Sequence, residues 1–236
     1  MRTEMLTIVI PARNEEGYIG KMLESLTRQT CVNPQTPVFI ADAGSTDRTL
    51  DVIGRYSDHL NIQVVPGGLP PVGRNQGARY ACSRYVLFLD ADIELGEPDT
   101  IEKSLQLAEK RRLDLVTTYI RCRNARWLDR LLWAAHGLAS RTRLFGAFGA
   151  GMFILMRNEA YRRLGGFNEQ IALGEDWDLT HRVAPRKFRI SNTYVYTTNR
   201  RFLKQGYLKT FGQYLMVAFS KKYRDRGNFS YFDMEY

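Results

Sequence analysis

The sequence predicts an α/β fold, a mostly parallel central sheet flanked by helices. Short apolar runs alternate with segments of helical period through the first half of the chain. Each run ends in a polar or glycine-rich stretch, where ligands of such sheets collect. Strand–helix alternation implies right-handed crossovers and parallel pairing. With 236 residues, 44% of them hydrophobic, the chain can bury a substantial core as one large domain, or one domain with a small appendage.

The elements follow in order. LTIVIP (6–11) reads as a buried strand. Residues 15–28 carry Ile19, Leu23 and Leu26 on one helical stripe. PVFIAD (37–42) is a second strand, followed by a helix from Thr46 to about Tyr56. NIQVVP (61–66) is a third strand and Val72 to Ser83 a helix. YVLFLD (85–90) is a fourth strand; a helix over 98–111 leads to the strand DLVTTYI (114–120). Beyond this point the alternation loosens. ARWLDRLLWAAHGLASR (125–141) is an amphipathic helix and GAGMFILM (149–156) a strand. NEAYRRLG (158–165) is a short helix closed by Gly165-Gly166. GEDWDLTHRV (174–183) opens another helix, FRISNTYVYTT (188–198) is a strand, and 207–226 a final helix.

The ends of the first four strands, PARNEE, DAGSTD, PGGLPPVGRNQG and DADIE, should converge on one cleft. Asp90 and Asp92 close the fourth strand with one alanine between them. In extended backbone both carboxylates face one side, and two acids so placed repel unless a cation lies between them. A hard divalent ion, Mn²⁺ or Mg²⁺, sharing them with ligand phosphates meets that need. A solvated acidic turn is the blander reading. Asp42 ends the neighbouring strand, within reach of a base or ribose, while Gly44, Ser45 and Thr46 suit a turn and a helix cap. Glu175 and Asp176 precede a helical pattern, where the positive end of the dipole favours an ionised carboxylate, as a general base requires.

IVIPARNEE, ADAGSTDRT, VGRNQGARYA, FLDADIEL and GGFNEQIALGEDWDLTHRV, in this order and spacing, resemble glycosyltransferase family 2 over roughly residues 5–185. The resemblance implies a GT-A fold, the Rossmann-like fold of nucleotide-diphospho-sugar transferases, and an inverting transfer. It places Pro11, Ala12, Arg13 and Glu15 along the nucleotide and Asp42 on the base, with Arg74, Asn75, Asp90 and Ala91 facing the donor. Asp90 and Asp92 become the metal ligands, Asp92 the more direct. Asp176 matches the general base, with Glu175 beside it. Gly149, Gly151 and Trp177 line the acceptor side, and Arg200 and Arg201 can hold donor or acceptor phosphate.

Three departures stand out. Ala43 replaces an acid or serine common before Gly-Ser, Asn168 replaces an aspartate in the Gly-Gly-Phe turn, and the Gln-x-x-Arg-Trp motif of polymerising members is absent. The last favours transfer of a single sugar. The implied halves are 1–120 for the nucleotide sugar and 121–198 for the acceptor, with 199–236 a basic helical tail. The donor would be of UDP or GDP type, the acceptor a saccharide or a polyprenyl-linked one.

Other readings start from the same residues. A haloacid-dehalogenase-like phosphatase also places Asp-x-Asp after an apolar strand, but at the chain start and without Ile93-Glu94. A nucleotidyltransferase needs a Gly-rich, Arg-containing loop where PARNEE stands. A non-catalytic nucleotide-sugar-binding protein needs no base. His59, His136 and His181 lack zinc-ligand spacing.

Charge is local. Of the net +9, residues 121–143 hold +5 (six arginines, one acid) and 200–226 hold +7 (eight Lys/Arg, one acid), leaving −3 elsewhere. Trp127, Leu128, Leu131, Leu132 and Ala135 form a stripe near Arg123, Arg126 and Arg130, suited to an anionic membrane surface, though core packing of the same stripe explains it equally. Without base-stacking or groove-reading motifs, nucleic acid is not expected. Cys31, Cys82 and Cys122, odd in number and scattered, suit a reducing compartment. No signal peptide is expected, since Leu6–Ile10 is short and Arg13 follows at once. The sequence thus suggests a cytoplasmic protein with a peripheral seat on the inner face of the membrane.

Overall fold

The computed structural model describes residues 5–212, apart from 124, 143–146, 148, 172, 208 and 211. The final helix expected over 207–226 lies largely outside these residues.

The chain begins β1 (Leu6–Ala12), α1 (Ile19–Thr27), β2 (Pro37–Asp42), α2 (Thr49–Gly54), β3 (Asn61–Pro66), α3 (Pro70–Arg79), β4 (Tyr85–Leu89). Then follow β5 (Glu94–Leu95), α4 (Thr100–Lys110), β6 (Leu115–Cys122), α5 (Trp127–Thr142) and β7 (Phe153–Arg157). The last elements are α6 (Asn158–Arg163), α7 (Glu175–His181), a 3₁₀ turn (Pro185–Lys187), β8 (Phe188–Thr197) and α8 (Arg200–Gln205).

The sheet order is β3-β2-β1-β4-β7-β6-β8-β5. β3, β2, β1 and β4 pair in parallel. β7 enters antiparallel to both β4 and β6, β8 is parallel to β6, and the two-residue β5 caps the far edge antiparallel to β8. Among the described residues six strands therefore run one way, with β7 and β5 reversed.

β1, β2 and β4 are apolar because both faces are covered, whereas β3 at the edge leaves Gln63 and Val64 exposed. Ile8, Ile10, Leu87 and Leu89 pack with α1 residues Ile19, Met22, Leu23 and Leu26 in one core cluster. Val9, Val86 and Phe88 face the other way, onto Tyr161, Phe167 and Leu179. α3 lies close on β1 at Gly77, where a Cβ would sit 2.4 Å from a Val9 methyl.

The loops after β1 and β2 are knitted together. Asn14, at φ 52°, donates its N–H to Ser45 Oγ (3.0 Å) and accepts the Thr46 N–H at Oδ1 (2.8 Å). Thr49 Oγ1 accepts the Glu15 N–H at 2.7 Å. These side-chain bonds hold 14–17 as loop, so α1 starts at Ile19 rather than near 15.

Candidate active site

The converging strand ends form a site whose centre is a buried arginine. Arg74, 3% exposed on α3, reaches two acids from opposite halves of the chain. Its Nη2 donates to Asp90 Oδ1 at 2.6 Å and its Nη1 pairs with Glu175 Oε1. Its guanidinium lies 5.3 Å from the Phe167 ring centroid. The flanking acids overcome the burial that opposes the charge, and raise the Arg74 pKa further.

Asp176 begins α7 next to Glu175. Its Oδ2 accepts the Gly151 N–H at 2.6 Å and its Oδ1 the Trp177 N–H at 2.7 Å. A Cβ on Gly151 would stand 2.6 Å from Arg74 Nη2 and 3.5 Å from Asp176 Oδ2, so Gly151 is the close approach that lets these groups meet. Burial, then the negative charge of Glu175, pushes the Asp176 carboxyl from its ordinary 3.8 up to about 7, against the pull of Arg74 and the two N–H groups. The helix start favours the ionised form, as expected from the sequence, but burial outweighs it.

The Asp-x-Asp pair differs from expectation in backbone. β4 ends at Leu89 and residues 91–92 form a turn. Ala91, 4% exposed, is an anchor in the core. Asp90 is matched by Arg74, and Asp92 by a different cation: Arg200 Nη2 stands 3.4 Å from Asp92 Oδ2. Arg200 also forks onto Glu15, at 2.7 Å to Oε1 and 3.1 Å to Oε2, and lies 4.7 Å from the Tyr18 ring centroid.

Other candidate residues fall around this centre. Asp42 ends β2 and accepts N–H groups of Gly44 (3.1 Å) and Ser45 (3.0 Å) and the Ser45 hydroxyl (2.5 Å). Pro11 and Ala12 close β1, paired with Ala41 and Asp42; Arg13 follows, half-buried. Gly149 donates its N–H to Thr180 Oγ1 at 3.3 Å. Trp177 stacks on His181 at 4.6 Å. Arg201 lies in α8, its side chain outside the described ones.

Asn75 is committed within the protein. Its amide donates to Phe167 O and Glu169 Oε1, both 2.9 Å, and its oxygen accepts Tyr161 Oη (2.6 Å) and Phe167 N–H (3.0 Å). It fastens the Gly165-Gly166 turn (φ 80° and 70°) and so places Phe167 beside Arg74.

Sequence reasoning missed one buried acid. Asp129 of α5 is fully buried and accepts from Arg126 N–H (2.8 Å), Asn199 Nδ2 (3.1 Å) and Tyr207 Oη (2.9 Å). It clamps the segment that carries Arg200. Its signal was its being the sole acid among six arginines.

Among the described residues no group of three or more acids, histidines or cysteines gathers to cage a metal. The partly exposed Asp90 and Asp92 carboxylates are hard oxygen donors. They fit a divalent ion that takes its other ligands from phosphate and water.

A strand order of 3-2-1-4, an acid pair beyond the fourth strand and a carboxylate facing it from a second half together define a GT-A architecture. The sequence model described as Glycosyl transferase family 2 matches residues 7–165, and the chain belongs to that family. It is 32% identical over 165 residues to a PGL/p-HBAD biosynthesis glycosyltransferase of Mycobacterium bovis, covering 63% of this chain and 64% of that one. It is 30% identical over 201 residues to a hyaluronan synthase of Pasteurella multocida, covering 83% of this chain and 20% of the synthase. The chain thus spans under two thirds of these relatives. Among solved structures it resembles the mannosyltransferase PcManGT of Pyrobaculum calidifontis in complex with GDP-Man and Mn²⁺. The TM-score there is 0.70 at 22% identity, over 93% of this chain and 64% of that one. S. aureus TarS 1–349 in complex with UDP-GlcNAc gives 0.65 at 20% identity, over 82% and 58%.

Proposed function

We propose that the chain transfers one sugar, with inversion, from a nucleotide-diphosphate sugar to a hydroxyl or phosphate acceptor. The observation that carries this reading is the two-pronged grip of Arg74, which brings Asp90 of the donor half against the Glu175–Asp176 start of α7. A nucleophile activated there faces an anomeric carbon whose diphosphate lies toward Asp90 and Asp92.

In this mechanism the nucleotide lies along Pro11, Ala12, Arg13 and Glu15, with its base toward Asp42. Asp176 takes the proton of the acceptor hydroxyl. As the new C–O bond forms, the bond to the diphosphate breaks and its electron pair leaves with the diphosphate. A carboxyl pushed up to about 7 is matched to that task, since a base works best with a pKa near the working pH. Glu175 holds Arg74 rather than moving a proton. Gly149, Gly151 and Trp177 border the acceptor. Mn²⁺ or Mg²⁺, held by Asp92 and Asp90, would neutralise charge on the leaving diphosphate. A UDP or GDP donor is supported by the nucleotide sugars held in the related structures, UDP-GlcNAc in TarS and GDP-Man in PcManGT.

The acceptor is lipid-linked in this reading, for a reason the structure adds. α5 exposes Trp127, Leu131 and Leu138 on one side, beside the exposed Arg126, Arg130 and Arg141. A helix with an uncovered apolar stripe and flanking arginines suits an anionic bilayer. No helix among the described residues is long and apolar enough to cross a membrane, so the seat would be peripheral.

Asp176→Asn tests the central assignment. Sugar transfer should fall by ~10³-fold, within the range of general-base catalysis, while nucleotide-diphosphate affinity stays within a few-fold. Turnover preserved within a few-fold would remove Asp176 as the base.

A further inference from the structure

Arg200 pairs with both a β1-loop acid, Glu15, and the second acid of the Asp-x-Asp, Asp92. Its fork to Glu15, itself 8% exposed, satisfies a carboxylate that cannot stay buried without a countercharge. The same guanidinium stands 3.4 Å from Asp92. It does not reach there by chance of a loose side chain. Asn199, directly before it, and Tyr207, beyond α8, are both held by the buried Asp129. Tyr18 lies under the guanidinium as well.

A divalent ion and a guanidinium are competitors for one carboxylate. Both neutralise it, and each repels the other across a few ångströms. With Asp90 already matched by Arg74, a metal approaching this strand end meets two acids that each carry a partner.

We infer that Arg200 is a built-in counter-cation of the metal-binding acids. With no nucleotide bound it covers Asp92 and Glu15 and keeps divalent-ion affinity low. A diphosphate, offering charge-assisted bonds of the kind arginine forks prefer, draws Arg200 off Asp92. Metal and nucleotide then bind with strong mutual enhancement, and the nucleotide alone sets when the metal is held. This rests on the proposed role of Asp90 and Asp92 as metal ligands.

The test is Mn²⁺ binding, read from the free-ion electron paramagnetic resonance signal, with and without UDP and GDP. Arg200→Ala should bind Mn²⁺ at least about tenfold more tightly than the unaltered chain without nucleotide, and should lose most of the enhancement that nucleotide gives. Arg200→Lys, which keeps the charge without the fork, should fall between. Because Arg200→Ala strips a partner from buried Glu15, the double variant Glu15→Gln/Arg200→Ala is measured beside it, with circular dichroism confirming the fold. Mn²⁺ affinity in both unchanged or weaker than in the unaltered chain would overturn the inference. Asp92→Ala separates the two levels: if it binds Mn²⁺ with nucleotide as well as the unaltered chain, the metal-site reading fails and the inference with it.

Discussion

In the proposed reading, the donor and acceptor sides of the site handle their acids differently. On the donor side each acid at a strand end has a partner: Asp42 has backbone and hydroxyl donors, Asp90 has Arg74, and Glu15 and Asp92 share Arg200. On the acceptor side Glu175 is paired, but Asp176 receives only two N–H groups and is pushed up to about 7. A surface meant to receive a diphosphate and its counter-ion needs fixed, balanced charge. A group meant to take a proton needs a charge it holds loosely.

Arg74 belongs to both halves, so its loss should have the largest effect. Arg74→Ala leaves Glu175, 5% exposed, without its countercharge. Breaking a buried pair from one side costs about 3–5 kcal/mol, which in a chain of this size lowers the melting temperature by roughly 10 °C. Transfer should be lost as well. The control is Arg28→Ala, which removes an exposed pair with Glu24 at 2.9 Å and should change little. If thermal unfolding shifts equally for the two, Arg74 is not the charge that joins the halves.

The contrast also has a pH signature. Asp176 works ionised, so kcat/KM should rise about tenfold per unit as pH rises toward about 7 and level off above it. Stability should move the other way. Between the ordinary carboxyl range near 3.8 and about 7 the folded chain keeps a proton that the unfolded chain has released. The Asp176 contribution to stability is therefore present at low pH and is lost as pH rises through that window. A flat rate profile from pH 5 to 8 would deny the carboxyl its role as base.

Much of this was legible in the sequence, and the reasons it was differ by region. β1 and β2 were found to within a residue because strands buried on both faces are unbroken apolar runs, while β3 matches its expected 61–66 span although Gln63 and Val64 of this edge strand are exposed. β7 was found as an element, but an apolar run carries no direction, so its antiparallel entry could not be read. β5, two residues long, has no period to detect. α8 starts at Arg200 within the stretch expected as a basic helical tail, ahead of the helix expected from 207. In the site, Asp90, Asp92, Arg74, Glu175 and Asp176 were all singled out by motif. The bond between Arg74 and Glu175, 101 positions apart, was not, since no local spacing encodes it. Asp129 was passed over because its burial depends on Asn199 and Tyr207, which only the fold brings to it.

The smallest expected effect concerns the outer face of α5. The sequence offered five apolar residues of α5 as one stripe. The structure instead leaves Trp127, Leu131 and Leu138 exposed and half-buries Leu128 and Leu132 against the fold. It also withdraws Arg123 from the basic face. That side chain forks onto Glu94 at 3.0 and 2.6 Å and covers the Tyr196 ring at 4.3 Å. In the proposed peripheral seat, membrane attraction would therefore fall to Arg126, Arg130 and Arg141 with the exposed apolar stripe. One arginine near an anionic surface contributes about 1 kcal/mol, so Arg130→Ala should weaken flotation with phosphatidylglycerol vesicles roughly fivefold, by the same figure. Arg123→Ala should barely change it. Added salt should weaken binding of the unaltered chain, as screened charge demands. If the unaltered chain fails to float at low salt, the exposed stripe is not a membrane face. If Arg123→Ala matters as much as Arg130→Ala, the division of labour along α5 is wrong.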